Sequence, residues 1–282
     1  MLARINASLS SLSPAEQRVG SLCLQNPRDF ARMPVSELAQ RAHVSKPTVV
    51  RFCRSVGYEG LADFKRVMAG KVEEGVPFIH PCVGALDNSR EAAIKVIDCT
   101  LAALQQYRHA IPGAALERVV DVLAQADRDQ RKILFFGVGD SGLVALDAQH
   151  KFFRLNMHAS AYSDGHTQLM SATVLRPGDC VVLISSSGRT RDLMDSCDLA
   201  RKNGATTIAI TANCSPLAAA ADVHLCADHG ESYDRDIPMV SRLLHLTIVD
   251  ILATCVALRI GGDKLTPLLR DMKYNLRSKR FA

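Results

Sequence analysis

Val181-Val182-Leu183-Ile184-Ser185-Ser186-Ser187-Gly188-Arg189-Thr190 sets four branched apolar residues directly ahead of a hydroxyl-rich turn. The apolar run reads as a buried strand, and Asp192 and Leu193 beyond it suit the first turn of a helix. Free backbone N–H groups and the positive end of a helix dipole converge at such a turn, where three serines and a threonine add donors. That is chemistry for a phosphate dianion. Transfer of a nucleotide phosphoryl group calls for Gly-Lys-Ser/Thr, which this turn lacks, so binding is expected rather than phosphoryl chemistry.

A second turn, Gly137-Val138-Gly139-Asp140-Ser141-Gly142, matches G-x-G-x-x-G after an apolar strand, with Asp164 at a distance suited to a ribose hydroxyl. Read alone it predicts a dinucleotide site. The serine-rich turn after Ile184 has no place in that fingerprint, however, and Ser141 is expected to face the same strand-end crevice as Ser185. Paired hydroxyl loops suit a small phosphorylated sugar, with no cofactor and no metal. Ser141, Ser185, Ser186, Ser187 and Thr190 are the candidate ligand-binding residues.

The elements that must hold these turns follow from alternation. Strands are predicted at 132–136, 159–162, 181–185, 206–210 and 223–225, with helices between them and a long helix over 238–260 that ends at Gly261-Gly262. This is an α/β three-layer (αβα) domain with a five-stranded parallel sheet, which takes ligands at the carboxyl ends of its strands. Amphipathic helices over about 89–109 and 114–126 precede it.

The amino-terminal part is all-α. Ser13-Pro14-Ala15-Glu16 is a capping box that opens a helix to about Gln25, stopped by Asn26-Pro27. Ser36 and Ser45 are predicted to cap two short helices joined at His43-Val44, which makes a helix-turn-helix over Glu37 to Val56. Lys46, Thr48, Arg51 and Arg54 are expected on the exposed face of its second helix, within reach of base edges or phosphates in double-stranded DNA. Charge agrees: residues 1–77 hold 11 Lys/Arg against 7 Asp/Glu, which is +4 of the total +5. Leu61, Phe64, Met68 and Val72 pattern a closing helix that Gly75-Val76-Pro77 ends. The expected domains are 1–77 for DNA binding, 78–113 for a linker and connecting helix, 114–262 for the ligand, and 263–282 for a basic tail read as a solvated terminal helix.

No run of 18 apolar residues occurs, because Asp250 and Thr254 break the stretch from Ile248 to Leu258, so no membrane span is expected. Met1 to Pro14 has no apolar core of signal-peptide length. Nine cysteines form no C-x-x-C pair and no zinc spacing, which reads as free thiols in a reducing, cytoplasmic setting.

Val44 to Arg54, Gly57-Tyr58-Glu59-Gly60, Phe64-Lys65 and the Ser185–Thr190 loop together resemble the RpiR family of bacterial transcription regulators. That family joins a helix-turn-helix to a sugar isomerase (SIS) domain. Lys151 to Asn156 and Met239 to Leu243 are similar to its HexR-type branch. The resemblance implies a homodimer or homotetramer that represses glucose and Entner-Doudoroff genes through inverted-repeat operators. It also implies an effector, 2-keto-3-deoxy-6-phosphogluconate, that releases the DNA. Ser141 and Ser185 then stand at effector-contacting positions, Ser187 and Thr190 at phosphate-binding ones, and Arg51 and Arg54 at DNA-contacting ones. Lys46 and Val50 depart from that branch, where an acidic and a polar residue stand, which implies an altered operator preference.

The rival class is a phosphosugar isomerase on the same fold. It would need a general base, for which Glu231, His166 and His245 are the candidates. Glu231, in the polar His229-Gly230-Glu231-Ser232 turn, is expected to be solvated, and His245 to be a packed or surface residue. A fused DNA-binding domain argues against an enzyme. His150, Lys151 and Arg154 share a helix that could form a subunit contact or a solvated face, and a solvated face is expected.

Overall fold

The computed structural model describes residues 5, 9, 12–25, 27–65, 80–229, 231 and 237–279. They divide into two compact units, Met1–Val76 with Cys82–Leu86, and Pro77–Pro81 with Asp87–Ala282.

In the first unit, helix α1 (Pro14–Gln25) begins as its capping box predicts, with one difference. The Glu16 carboxylate accepts from both the Ser13 backbone N–H and the Ser13 hydroxyl, so the acid organises the box. Pro27 does more than stop α1: its fixed φ suits a first helical position, and it opens α2 (Pro27–Arg32), which seats Phe30 in the core. Ser36 is not a cap, because α3 (Val35–Arg41) starts one residue earlier behind Pro34. After a turn in which His43 takes a positive φ of 52°, α4 (Lys46–Ser55) follows Ser45 as predicted. Residues 61–65 are helical. Their Phe64 stacks edge-on against Phe30, Phe52 and Tyr58 with ring centroids 5.0 to 5.7 Å apart. Met68, Val72 and the predicted Gly75-Val76-Pro77 stop lie outside the described residues.

In the second unit, α5 (Ser89–His109) and α6 (Gly113–Arg128) lead into a five-stranded parallel sheet of order β2-β1-β3-β4-β5. The strands are β1 (Ile133–Phe136), β2 (Ala159–Tyr162), β3 (Cys180–Ser185), β4 (Thr206–Thr211) and β5 (Val223–Cys226). The strands' period of two divides their side chains between two cores. Phe135, Val182, Ile184, Ile208 and Ile210 face one, which α6, α7 (Asp140–Arg154) and α11 (Val240–Ile260) cover. Phe136, Val181, Leu183 and Ala209 face the other, under α8 (Gly165–Thr173), α9 (Arg191–Lys202) and α10 (Pro216–Ala220). The order of strands reverses between β1 and β3, and a doubly wound sheet opens its ligand crevice at such a reversal. The loops after β1 and β3 are the two singled out by their sequences.

Helix α11 is long and apolar enough to cross a membrane by length and composition, with a mean hydropathy of 1.9. A count of unbroken apolar residues missed it. Val240, Leu244, Ile248, Leu252 and Val256 recur along one buried face against the sheet, as in the core helix of a globular domain. The basic tail forms α12 (Gly262–Asn275) and a 3-10 turn at Arg277–Lys279. Seven cysteines carry free thiols, at 23, 53, 180, 197, 214, 226 and 255; Cys82 and Cys99 are not among them, against the expectation of nine.

Candidate functional site

The loop after β1 owes its shape to a close approach of backbone to backbone. A Cβ on Gly137 would lie 2.2 Å from the Ser141 carbonyl oxygen, so only glycine permits this turn from strand to helix. Gln168, fully buried, pins the loop by donating from Nε2 to the carbonyls of Gly137 and Tyr162, both at 2.9 Å. Ser141 sits half-buried in the first turn of α7. Asp164 accepts from the Thr167 N–H at 2.9 Å and caps α8, and this bond holds its carboxyl below the usual value. The acid that could have held a ribose is thus a helix cap, and the G-x-G-x-x-G match reflects the tight turn.

The loop after β3 is held from within. Ser185 is buried, and its Oγ accepts the Gly188 N–H at 3.0 Å and lies 3.4 Å from Thr190 Oγ1. Gly188 has φ +62°, and a Cβ there would meet Ser215 Oγ at 2.2 Å, which leaves glycine as the residue that fits. Ser187 Oγ accepts the Arg189 N–H at 3.2 Å. Thr190 stands at the N-cap of α9, whose first-turn donors face the loop.

Beside this loop lies a cavity of about 270 Å³, lined by Ser186, Ser187, Arg189, Asn213, Ser215 and His229 among others. Of the five candidate ligand residues, Ser186 and Ser187 line it. Among the described residues Ser141, Ser185 and Thr190 do not: Ser185 and Thr190 shape the loop, and Ser141 belongs to the neighbouring strand end. Arg189, in the singled-out loop, and His229 and Glu231, in the polar turn named for its acid, line the cavity too without having been assigned to the ligand, and Asn213 and Ser215 escape the sequence reading altogether. One signal was present, since Ser215-Pro216 is an N-cap followed by proline, and Ser215 Oγ indeed accepts the Ala218 N–H at 3.2 Å.

The three candidate general bases stand in different surroundings, and of them Glu231 lines the cavity. Glu231 is not solvated: its Oε1 accepts the N–H groups of Met239 at 3.0 Å and Val240 at 2.7 Å, and its Oε2 that of Ser241 at 2.8 Å. His245 is 1% exposed, and burial, with His229 nearby, pushes its imidazole down to about 3. His166 is exposed in the first turn of α8. Of the His150, Lys151 and Arg154 face, His150 and Arg154 are exposed as expected, whereas Lys151 is not merely solvated. Lys151 pairs with Asp250 at 2.6 Å and Asp147 at 3.5 Å, tying α7 to α11.

In the first unit Lys46, Arg51 and Arg54 are exposed on α4, as expected. Arg51 lies 3.6 Å from Glu16, and Arg54 Nε donates to the Glu59 carbonyl at 3.1 Å. Thr48 is the exception: only 7% exposed, its hydroxyl is bonded to that of Ser45 at 2.9 Å. Helical spacing puts position 48 beside Phe52, on the edge of the buried stripe. Arg18 reaches back to the carbonyls of Ala42 and His43, at 3.2 and 3.3 Å, and fastens the turn between α3 and α4.

Comparison with known proteins agrees with both halves. Residues 1–75 match the helix-turn-helix domain of the rpiR family, and residues 128–255 match the SIS domain. The chain is 42% identical to the HTH-type transcriptional regulator HexR of Pseudomonas aeruginosa over 100% of this chain and 97% of that one. It is 39% identical to HexR of Escherichia coli K12, over 100% and 96%. The Vibrio vulnificus NanR protein, solved in complex with ManNAc-6P, shares the fold at a TM-score of 0.62 and 24% identity, over 100% of this chain and 99% of that one. Both full-length HexR relatives are transcriptional regulators. With a helix-turn-helix ahead of a sugar isomerase fold, the chain belongs to the RpiR family and is a DNA-binding transcriptional regulator of the HexR type.

Proposed function

We propose that the chain represses glucose and Entner-Doudoroff genes as a homodimer or homotetramer, and leaves its inverted-repeat operator when 2-keto-3-deoxy-6-phosphogluconate binds the SIS domain. Residues 1–77 read DNA, 78–113 connect, and 114–262 sense the effector. The observation that carries this reading is the Ser185–Thr190 loop, where hydroxyl and backbone donors meet the N-terminus of α9 beside a polar cavity. Ser187 and Thr190 take the phosphate, Ser186 reaches it from the cavity side, and Ser141 and Ser185 complete the crevice between β1 and β3. NanR, which has the same fold, was solved with a phosphorylated sugar.

On the DNA side Lys46, Arg51 and Arg54 contact the operator, while Thr48 steadies the N-cap of the recognition helix. Ligand binding draws the two serine loops together and changes the half-site spacing that paired recognition helices can span. Cytoplasmic location follows from this role.

A gel shift with and without the sugar phosphate tests the whole reading. Ser185→Ala should raise the ligand concentration needed for release, and release at the wild-type concentration removes the loop assignment. Arg51→Ala should weaken operator binding by about ten-fold or more while ligand-induced thermal stabilisation persists. Loss of both properties would point to misfolding instead.

A further inference from the structure

His229 and Glu231 both line the cavity on the side of the long core helix, and the reading above assigns neither of them a role. Their side chains are 6% and 4% exposed, with His229 Nδ1 3.8 Å from Glu231 Oε2. The Glu231 backbone N–H points at His229 Nδ1, 3.2 Å away, and His229 Nε2 lies 2.9 Å from Ser186 Oγ. An N–H donor can only be received by a lone pair, so Nδ1 carries none of the imidazole protons. The ring proton is therefore on Nε2 and is donated to Ser186 Oγ. With one lone pair of that oxygen occupied by a donor, the Ser186 proton is directed elsewhere, and Ser186 lines the cavity. An anion there meets a hydroxyl oriented to donate.

The other end of the segment is fixed just as firmly. The Glu231 carboxylate takes three successive N–H groups at the start of α11, from Met239, Val240 and Ser241. Ser241 Oγ and His245 Nε2, buried in the first turns of that helix, have no hydrogen-bond partner among the described residues. Among the described residues, the Glu231 cap is the side-chain tie to the first backbone N–H groups of this helix. From there α11 runs 21 residues and packs against α5, α6 and α7. A displacement of His229 moves Glu231, two residues on, and with it the seat of the helix.

We propose that His229 positions the Ser186 hydroxyl as a donor to the effector's anionic group, and that Glu231 carries the resulting movement to α11 through its cap. This rests on the phosphosugar reading of the cavity and adds to it the specificity device and the route out of the site.

The test uses the full chain, with 2-keto-3-deoxy-6-phosphogluconate as probe and an operator duplex selected by the wild-type chain. His229→Leu should weaken binding about ten-fold or more, judged by thermal shift and titration, since a donor to a charged group is lost. His229→Gln, whose amide can donate at the Nε2 position, should stay within about three-fold of wild type. Long-range ¹H–¹⁵N spectra of the wild type should show the Nε2–H tautomer. Because Glu231 also lines the cavity, Glu231→Gln is read as a ratio: the probe concentration that releases DNA should rise about ten-fold relative to the variant's own Kd for the probe. Glu231→Asp, which keeps the charge but shortens the reach, provides the same comparison if the glutamine variant melts early. Wild-type binding by His229→Leu, or the Nδ1–H tautomer, overturns the positioning role. An unchanged ratio of binding to release in both Glu231 variants overturns the coupling. A wild-type chain that is not stabilised by the probe overturns the phosphosugar reading itself.

Discussion

Two buried glutamates organise the two units, and they do so by opposite routes. Glu16 lies three residues from the serine whose N–H and hydroxyl it accepts, and it extends that local box to Ser55 at 2.9 Å and Arg51 at 3.6 Å on the recognition helix. Glu231 reaches forward eight to ten residues to cap a helix that the chain has not yet begun. Both satisfy orphan donors at helix N-termini, where a carboxylate also meets the positive end of the dipole. The first is spelled out by a four-residue pattern. The second is spelled out by nothing, because its partners are backbone groups of whatever residues arrive there. The less legible acid carries more, as it serves three donors of a 21-residue core helix.

Removing the Glu231 carboxylate is the sharpest way to break the comparison. Glu231→Ala strands three N–H groups at a mostly buried helix end, and should cost about 3 kcal/mol. The melting transition of the SIS unit should fall by several degrees, while that of the DNA-binding unit stays in place. A loss below about 1 kcal/mol would mean that water replaces the cap, and the two glutamates would then rank equally.

The same distinction explains what the sequence made legible. The sequence places all five strands to within a residue, β1 and β3 from unbroken apolar runs and the half-buried β2 and alternating β5 from the strand-helix alternation around them. The Ser185–Thr190 loop was legible for the same reason, as a polar turn at the end of one such run. Thr48 was misplaced because helical spacing alone does not decide which side of a stripe's edge is covered; its bond to Ser45 and the neighbouring core settle it. Pro27 was read as a stop when it is also a start, an ambiguity inherent in a residue that ends one helix and suits the first position of another. The cavity's Arg189, Asn213, Ser215 and His229 come from loops after β3, β4 and β5, and only the parallel order of those strands brings them together.

His245 offers a second contrast between the units, one that pH can draw out. Its imidazole is held down to about 3, by burial first and His229 second, against 6.5 when free. Between these values the unfolded chain takes up a proton that the folded chain refuses, so stability falls as pH drops from 6.5 toward 3. From pH 7 to pH 5 this group alone should cost the SIS unit about 2 kcal/mol. Calorimetric melting of the wild type and His245→Leu at both pH values isolates it: the wild type should lose more than the variant does. Equal losses would place a proton acceptor for His245⁺ in the core and remove the contrast.

Glu16 should show a smaller effect set by the opposite kind of group. Its carboxyl is held below 4.5, chiefly by the Ser13 hydroxyl, with Ser55 and Arg51 assisting against the opposing effect of burial. A depressed acid stabilises the fold above its ordinary value, and the contribution disappears as pH falls through the folded value. Glu16→Gln should therefore cost the DNA-binding unit up to about 1 kcal/mol at pH 7, and the two chains should converge as the pH falls through the lowered value of the folded carboxyl. The variant also frees Arg51, which is 64% exposed and already turned largely to solvent. If operator affinity then rises while stability falls, Glu16 restrains the arginine that it helps to place; if both fall together, the contact is a scaffold for the recognition helix. Circular dichroism melting across the acid range, paired with gel shifts at pH 7, separates these two outcomes.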